Sequence, residues 1–295
     1  MNDNILIPIR SGRLKVDVAG PGAFYKGPRF DWTGHVKQVT LDDRHTFCAV
    51  ESPIHGKGTG GLGLCNEFGI TKPVKPDPAL KDGRYPKWGI GLLTPPEKVT
   101  KPPTSPAIAA LFPMRFEATE NYVEFTVDPV ECAGYAARLV KRLTVENNTL
   151  TMNYSLQNTG KQTIVTDEYN HNFIQINDYT IGPDYRLTFP YSLTMDPSIE
   201  EVGDIFSFAP NQLSFRHTAE KVYYGIFNGF NKSTTNFWEM LHAPSGIGVK
   251  ETVDFQVTRI AIWGEPHVLS PEFFITFTIH PGETAKWSRQ YTFFC

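Results

Sequence analysis

The chain has 295 residues, 40% hydrophobic and 13% aromatic, with 28 Lys and Arg against 31 Asp and Glu for a formal charge of −3. This is ample material for a broad core and excludes a disordered chain, and the scattered basic residues argue against nucleic acid as a partner. No run approaches the roughly 18 apolar residues of a membrane span, so no membrane partner is expected.

Met1 to Pro21 lacks the charged-then-apolar order of a signal peptide. The expected location is cytoplasmic, or secreted or periplasmic if a leader has been removed. Cys48, Cys65, Cys132 and Cys295 form no Cys-x-x-Cys pair, which argues against zinc and against a dense disulfide framework but leaves one or two bridges open. Asn-x-Ser/Thr triplets begin at Asn147, Asn153 and Asn231; they are common by chance and do not decide the compartment.

In chain order, Leu14, Val16 and Val18 alternate with polar residues, and Arg29-Phe30-Asp31-Trp32-Thr33-Gly34 leads into Val36 and Val39 before a turn at Asp42-Asp43. The reading is strand, corner, strand, turn. Five glycines at positions 56, 58, 60, 61 and 63 surround Lys57, but no Gly-x-x-x-x-Gly-Lys-Ser/Thr occurs and no helix follows. A surface loop at the mouth of a site fits better than a phosphate cradle.

Nine prolines between Lys72 and Pro106 predict a long irregular excursion, interrupted by Trp88 to Leu93. Val123, Phe125 and Val127 then alternate as a half-buried strand. Leu139 to Val145 and Leu150 to Leu156 predict a hairpin across Asn147-Asn148. The run from Val253 through Phe277 and Ile279 to Phe293 reads as further strands, the last two joined as a hairpin by His280-Pro281-Gly282-Glu283. Only Pro106 to Leu111 offers helical periodicity. The class is all-β, with too many strands for one layer, and the absence of any linker predicts a single domain over residues 1–295.

The chemistry concentrates at Tyr169-Asn170-His171-Asn172-Phe173, behind Asp167 and Glu168. A histidine among amides and carboxylates has neighbours able to set its tautomer and proton affinity, which suits acid-base work. The alternative is an ordinary strand-end histidine. No Cys or His pair has metal-ligand spacing, so no metal or other cofactor is expected.

The Asn-His pair before an aromatic resembles the motif of the aldose 1-epimerase, or galactose mutarotase, superfamily. Pro281-Gly282-Glu283-Thr284 followed by Trp287, Arg289 and Tyr291-Thr292-Phe293 is similar to that family's close. The resemblance covers roughly residues 120 to 295 and more loosely the rest. It implies a large antiparallel β-supersandwich with a sugar cleft, binding a small sugar or oligosaccharide as a monomer or dimer.

It further implies that His171 acts as the acid on the pyranose ring oxygen and a glutamate as the base on the anomeric hydroxyl. Glu272 is preferred for the base, with Glu265 in reserve. Substrate contacts are expected from Asn170, Asp184, Glu67 and Arg29, with Trp88, Trp238 and Trp263 as rings for stacking. Where the family has a second histidine, this chain offers His55, Lys57, Asn66 and Glu67 without a matching motif. A non-catalytic sugar-binding protein of the same fold is the second reading. A polysaccharide lyase using Tyr169, Asn170 and Arg186 is the third.

Overall fold

The computed structural model describes residues 5–75, 83–96, 105–197, 204–230 and 235–295. Parts of the proline-rich excursion, 76–82 and 97–104, and the triplet at Asn231 lie outside the described residues. No helix occurs among the described residues, and every strand pairing is antiparallel. Pro106 to Leu111 is therefore a correction: Ala107–Leu111 is a strand paired with Gly91–Thr94. Its alanines favour a helix weakly, and the pairing overrides them.

Two ten-stranded sheets account for most of the chain. The first runs Leu6–Ser11, Leu14–Ala19, Val36–Leu41, Leu64–Phe68, Ile164–Asn172, Val268–Ile279, Arg259–Glu265, Tyr223–Asn228 and Thr194–Met195, with His45–Thr46 beside Val36–Leu41. The second runs Phe206–Ala209, Gln212–Phe215, Tyr185–Thr188, Asn236–His242, Ile247–Val253, Thr284–Phe294, Thr149–Asn158, Ala137–Glu146, Tyr122–Val127 and Met114–Ala118. A small third sheet joins Tyr85–Lys87, Gly91–Thr94 and Ala107–Leu111.

Alternation explains how the layers close. In Ala137–Glu146 and Thr149–Asn158, every second residue is buried, as expected of strands with one face on a core. Leu139, Leu143, Leu150 and Met152 meet Val16, Val39, Phe68 and Phe273 of the first sheet in one hydrophobic cluster. The hairpin predicted at Asn147-Asn148 is present, with Asn147 at φ 54°.

The predicted closing hairpin is not. Val268–Ile279 pairs with Ile164–Asn172 and Arg259–Glu265 in the first sheet, whereas Thr284–Phe294 pairs with Thr149–Asn158 and Ile247–Val253 in the second. His280 to Glu283 is thus a corner that carries the chain between layers. Both strands find two partners each and avoid an edge. No disulfide joins any of the four cysteines.

Candidate functional site

The strand Ile164–Asn172 lies in the middle of the first sheet, and its residues alternate between two polar environments. Glu168, Asn170 and Asn172 point toward the second sheet. Glu168 accepts from Arg289 Nη2 at 2.8 Å and from the Asn66 amide. Asn170 Nδ2 donates to Tyr291 OH at 2.7 Å and to Asn172 Oδ1 at 2.8 Å.

Arg289 also reaches Glu251 at 2.8 Å, and Glu251 accepts from Trp238 Nε1 and, at 2.9 Å, from Tyr291 OH. Lys141 donates to the Thr33 carbonyl at 2.8 Å and to Asn66, and faces Asp31 at 3.7 Å. Burial raises the Glu251 carboxyl against the pull of Arg289. Burial likewise pushes Asp31 up to about 6 against Lys141.

Tyr169, His171 and Phe173 point the other way, to the outer face. Register sets their neighbours: Cys65 faces His171 on one side, while Tyr169 pairs with Phe274 on the other, which brings Glu272 opposite His171. The imidazole Nδ1 lies 2.7 Å from Glu272 Oε1. Ser270, two residues before Glu272 on the same face, donates to that Oε1 at 3.0 Å. Phe173 stacks on the imidazole at 4.8 Å, and Phe30 and Trp263 meet it edge-on at 5.5 and 6.3 Å. The ring is thereby held at one angle to the carboxylate.

The far nitrogen, Nε2, is 2.9 Å from Arg29 Nη2. A guanidinium only donates, so Nε2 is the acceptor and the imidazole proton sits on Nδ1, toward Glu272. Arg29 is itself held by four groups. It donates to Glu67 Oε2 at 2.8 Å, Tyr169 OH at 3.1 Å and Thr59 Oγ1 at 2.9 Å, and lies 3.9 Å from Glu51.

Burial raises the Glu67 carboxyl, but Lys87 and Arg29 outweigh it and the group ends below its ordinary value. The Tyr169 hydroxyl donates to Glu67 at 2.6 Å. Burial and that carboxylate push its proton loss well above the ordinary range, which leaves it poorly suited as a base.

The glycine run has a structural part in this arrangement. Glu51 accepts from the Thr59 and Gly61 amides at 2.6 and 3.0 Å, pinning the loop whose Thr59 holds Arg29. A methyl at Gly61 would stand 2.4 Å from the Phe173 ring, so the loop lies flat on the aromatic beside His171 only because that residue is glycine.

Of the residues singled out in the sequence, the structure brings His171, Glu272, Glu67, Arg29 and Trp263 together. It brings Tyr169 there as well, but not Asn170, Trp238, Asp184, Arg186 or Glu265. Asn170 and Trp238 are fully buried between the sheets. Asp184 and Arg186 are exposed at the strand Tyr185–Thr188 of the second sheet. Glu265 stands at the turn end of its strand, 3.8 Å from His267.

Trp88 is buried and stacked at 6.5 Å on Phe112. With Arg29, Glu67 and Lys87 it lines a cavity of about 350 Å³ that His171 does not line. Ser270, Tyr169, Thr59 and Glu51 belong to the cluster too. The readable signal was the alternation Ser270-x-Glu272, which puts both side chains on one face of a strand. Among the described residues, no three His, Cys, Asp or Glu side chains come together as a metal site would need.

Two large sheets of antiparallel strands packed on one core form a galactose mutarotase-like fold, and the histidine-carboxylate pair spans two adjacent central strands of the first. No protein-family model matches the sequence, and no curated protein does. The fold is shared with a galactose mutarotase related enzyme from Lactobacillus acidophilus: TM-score 0.64, 13% identity, covering 99% of this chain and 98% of that one. A galactose mutarotase-like protein from Lactobacillus casei gives TM-score 0.64 at 12% identity over 98% and 100%. An aldose epimerase homologue from C. elegans gives 0.61 at 13% over 98% of each.

Proposed function

We propose that the protein is an aldose 1-epimerase, interconverting the anomers of a sugar bound on the outer face of the first sheet. The observation that carries this reading is the 2.7 Å contact of His171 Nδ1 with Glu272 Oε1 on a fold shared with proteins described as mutarotase related and as an aldose epimerase homologue.

Mutarotation needs only proton transfers. Glu272 takes the proton of the anomeric hydroxyl through Oε2 while His171 Nε2 delivers one to the ring oxygen. The C1–O5 bond opens to the aldehyde, C1 rotates about its bond to C2, and the same two transfers run backward to reclose the ring. Ser270 holds Oε1 at 3.0 Å and so leaves Oε2 for the sugar.

Arg29 occupies the position the ring oxygen needs. A sugar reaches Nε2 only by displacing that guanidinium, and His171 donates there only once Nε2 carries a proton. The cover over the pair also favours the second reading, a sugar-binding protein without turnover, since His171 and Glu272 are 4% and 2% exposed.

Optical rotation of freshly dissolved α-hexoses separates the two. Acceleration of its decay by wild-type protein, lost in His171→Gln, supports the epimerase. Sugar binding with no acceleration supports the binding protein.

A further inference from the structure

One guanidinium belongs both to the histidine-glutamate pair and to the cavity beside Trp88. Arg29 meets His171 Nε2 at 2.9 Å through Nη2 and holds Glu67 at 2.8 Å through Nε, and Arg29 and Glu67 both line that cavity. The register that puts Cys65 opposite His171 puts Glu67 opposite Tyr169, one strand over and two residues along. Two residues of extended chain span about 7 Å, so the cavity begins within reach of a group bonded to a sugar at His171.

The space measures about 350 Å³, inside the range of about 300–1,000 Å³ that small-molecule sites take. Ile70, Val74 and Tyr85 give it apolar walls. At its charged end, the Lys87 side chain is 14% exposed and reaches Glu67 Oε1 at 3.4 Å, with Arg29 on the other carboxylate oxygen. Among the described residues the Lys87 ammonium donates to Glu67 alone, and an ammonium has three donors. This end therefore offers N–H groups to hydroxyl oxygens beside a carboxylate that repels an anion. Apolar walls with a few donors at one end fit a sugar ring, which has C–H faces and a hydroxyl rim.

We infer that the cavity takes the second residue of a neutral reducing disaccharide or longer oligosaccharide, so that the reducing end of a glycan, rather than a free hexose, is the preferred substrate. This rests on the epimerase reading for the position of the first ring. In that reaction O1 lies at Glu272 and the ring oxygen at His171 Nε2, so the C5 side of the pyranose points toward the strand Leu64–Phe68. The oxygens on C4 and C6, which carry 1→4 and 1→6 linkages, then come to Arg29 and Glu67. Once the ring has displaced the guanidinium from His171, the linked residue continues into the space that the guanidinium lines. A linkage at C4 or C6 leaves C1 free, as ring opening requires.

The test compares anomer exchange of glucose with that of maltose, lactose and melibiose, and of galactose with 1→4-linked galactobiose, in wild type, Ile70→Trp and Ile70→Ala, with calorimetric titration of the same sugars. Ile70 lines the cavity, is 43% exposed and touches neither His171 nor Glu272, so a larger ring there fills the space without entering the core. In wild type, at least one disaccharide should show kcat/KM roughly 10- to 100-fold above that of its reducing-end hexose, the gain expected of one hydrogen bond from a charged donor. Ile70→Trp should bring that ratio toward one with hexose turnover unchanged, and Ile70→Ala should keep the ratio above one.

Disaccharides turned over no better than hexoses, an equal loss for both in Ile70→Trp, or a preference that Ile70→Trp leaves intact overturns the inference. Hexose turnover without a disaccharide preference leaves the epimerase standing and removes the subsite. Tighter disaccharide binding that Ile70→Trp abolishes, with no exchange of any sugar, keeps the subsite and removes the epimerase. Neither binding nor exchange of any of the sugars overturns both.

Discussion

The two faces of Ile164–Asn172 make a controlled comparison, because one backbone presents both. On the inner face, Glu168 and Arg289 are sealed between sheets and pair across them, and Arg289 also holds Glu251 on the neighbouring strand. On the outer face, His171 and Glu272 meet a guanidinium carried by a loop, and Arg29 retains 28% side-chain exposure. The inner polar network locks the two sheets to each other. The outer one is built from the same residue types but closed by a loop-borne guanidinium, which on the proposed function a sugar displaces. Burial and hydrogen bonding alone do not separate the two faces; the proposal separates them by the replaceable partner.

The sharpest way to break this contrast is to remove one member from each face. Arg289→Leu strands the Glu168 and Glu251 carboxylates in the core and should cost about 3–5 kcal/mol of stability, read as a lower urea midpoint. His171→Gln and Glu272→Gln should instead leave that midpoint nearly unchanged and lower the anomerisation rate by about 10²- to 10⁴-fold. If the outer variants unfold as readily as Arg289→Leu, both faces are structural and the comparison fails.

A smaller effect belongs to His35, buried beside the inner network and stacked on Tyr25 at 5.3 Å. Burial, with Lys141 adding to it, holds its imidazole down to about 3 from 6.5. Between those values the unfolded chain binds a proton that the folded one refuses, so stability falls as pH falls through this window. Asp31, raised to about 6 from 3.8, acts oppositely: the stability it contributes in acid is lost as pH rises through 3.8 to 6. His35→Phe should remove the first slope and leave the second, making the fall of the urea midpoint below pH 6.5 shallower. An unchanged acid limb would contradict the assignment.

The smallest effect concerns integrity. Limited proteolysis should cut between Lys72 and Pro106 first and leave the two halves associated. Release of two separately folded fragments would contradict the proposal of one domain.

Much of this was legible in the residues. The alternation in Thr149–Asn158 shows a half-buried strand to anyone counting by two, and the Asn-His pair with the Ser270-x-Glu272 spacing points to the outer face. The same period of two separates Asn170 from His171, since neighbours on a strand face opposite ways. Asn170 as a sugar contact overlooked that parity. The partition of the last two strands between sheets was not legible, because a Pro-Gly turn reports that the chain reverses and says nothing about which strand will pair with it. Nor was the contact of Arg29 with His171, which spans 142 positions. Trp238 misled for a further reason: an indole that stacks on sugars and one that donates to a buried carboxylate look alike in sequence.

The most direct measurement is the α-to-β exchange rate of the best-bound sugar by magnetisation-transfer NMR, in wild type, Glu272→Gln and Glu265→Gln. The account predicts exchange well above the spontaneous rate in wild type, unchanged in Glu265→Gln and reduced toward the spontaneous rate in Glu272→Gln. Wild-type exchange no faster than in buffer, or a loss confined to Glu265→Gln, would contradict it.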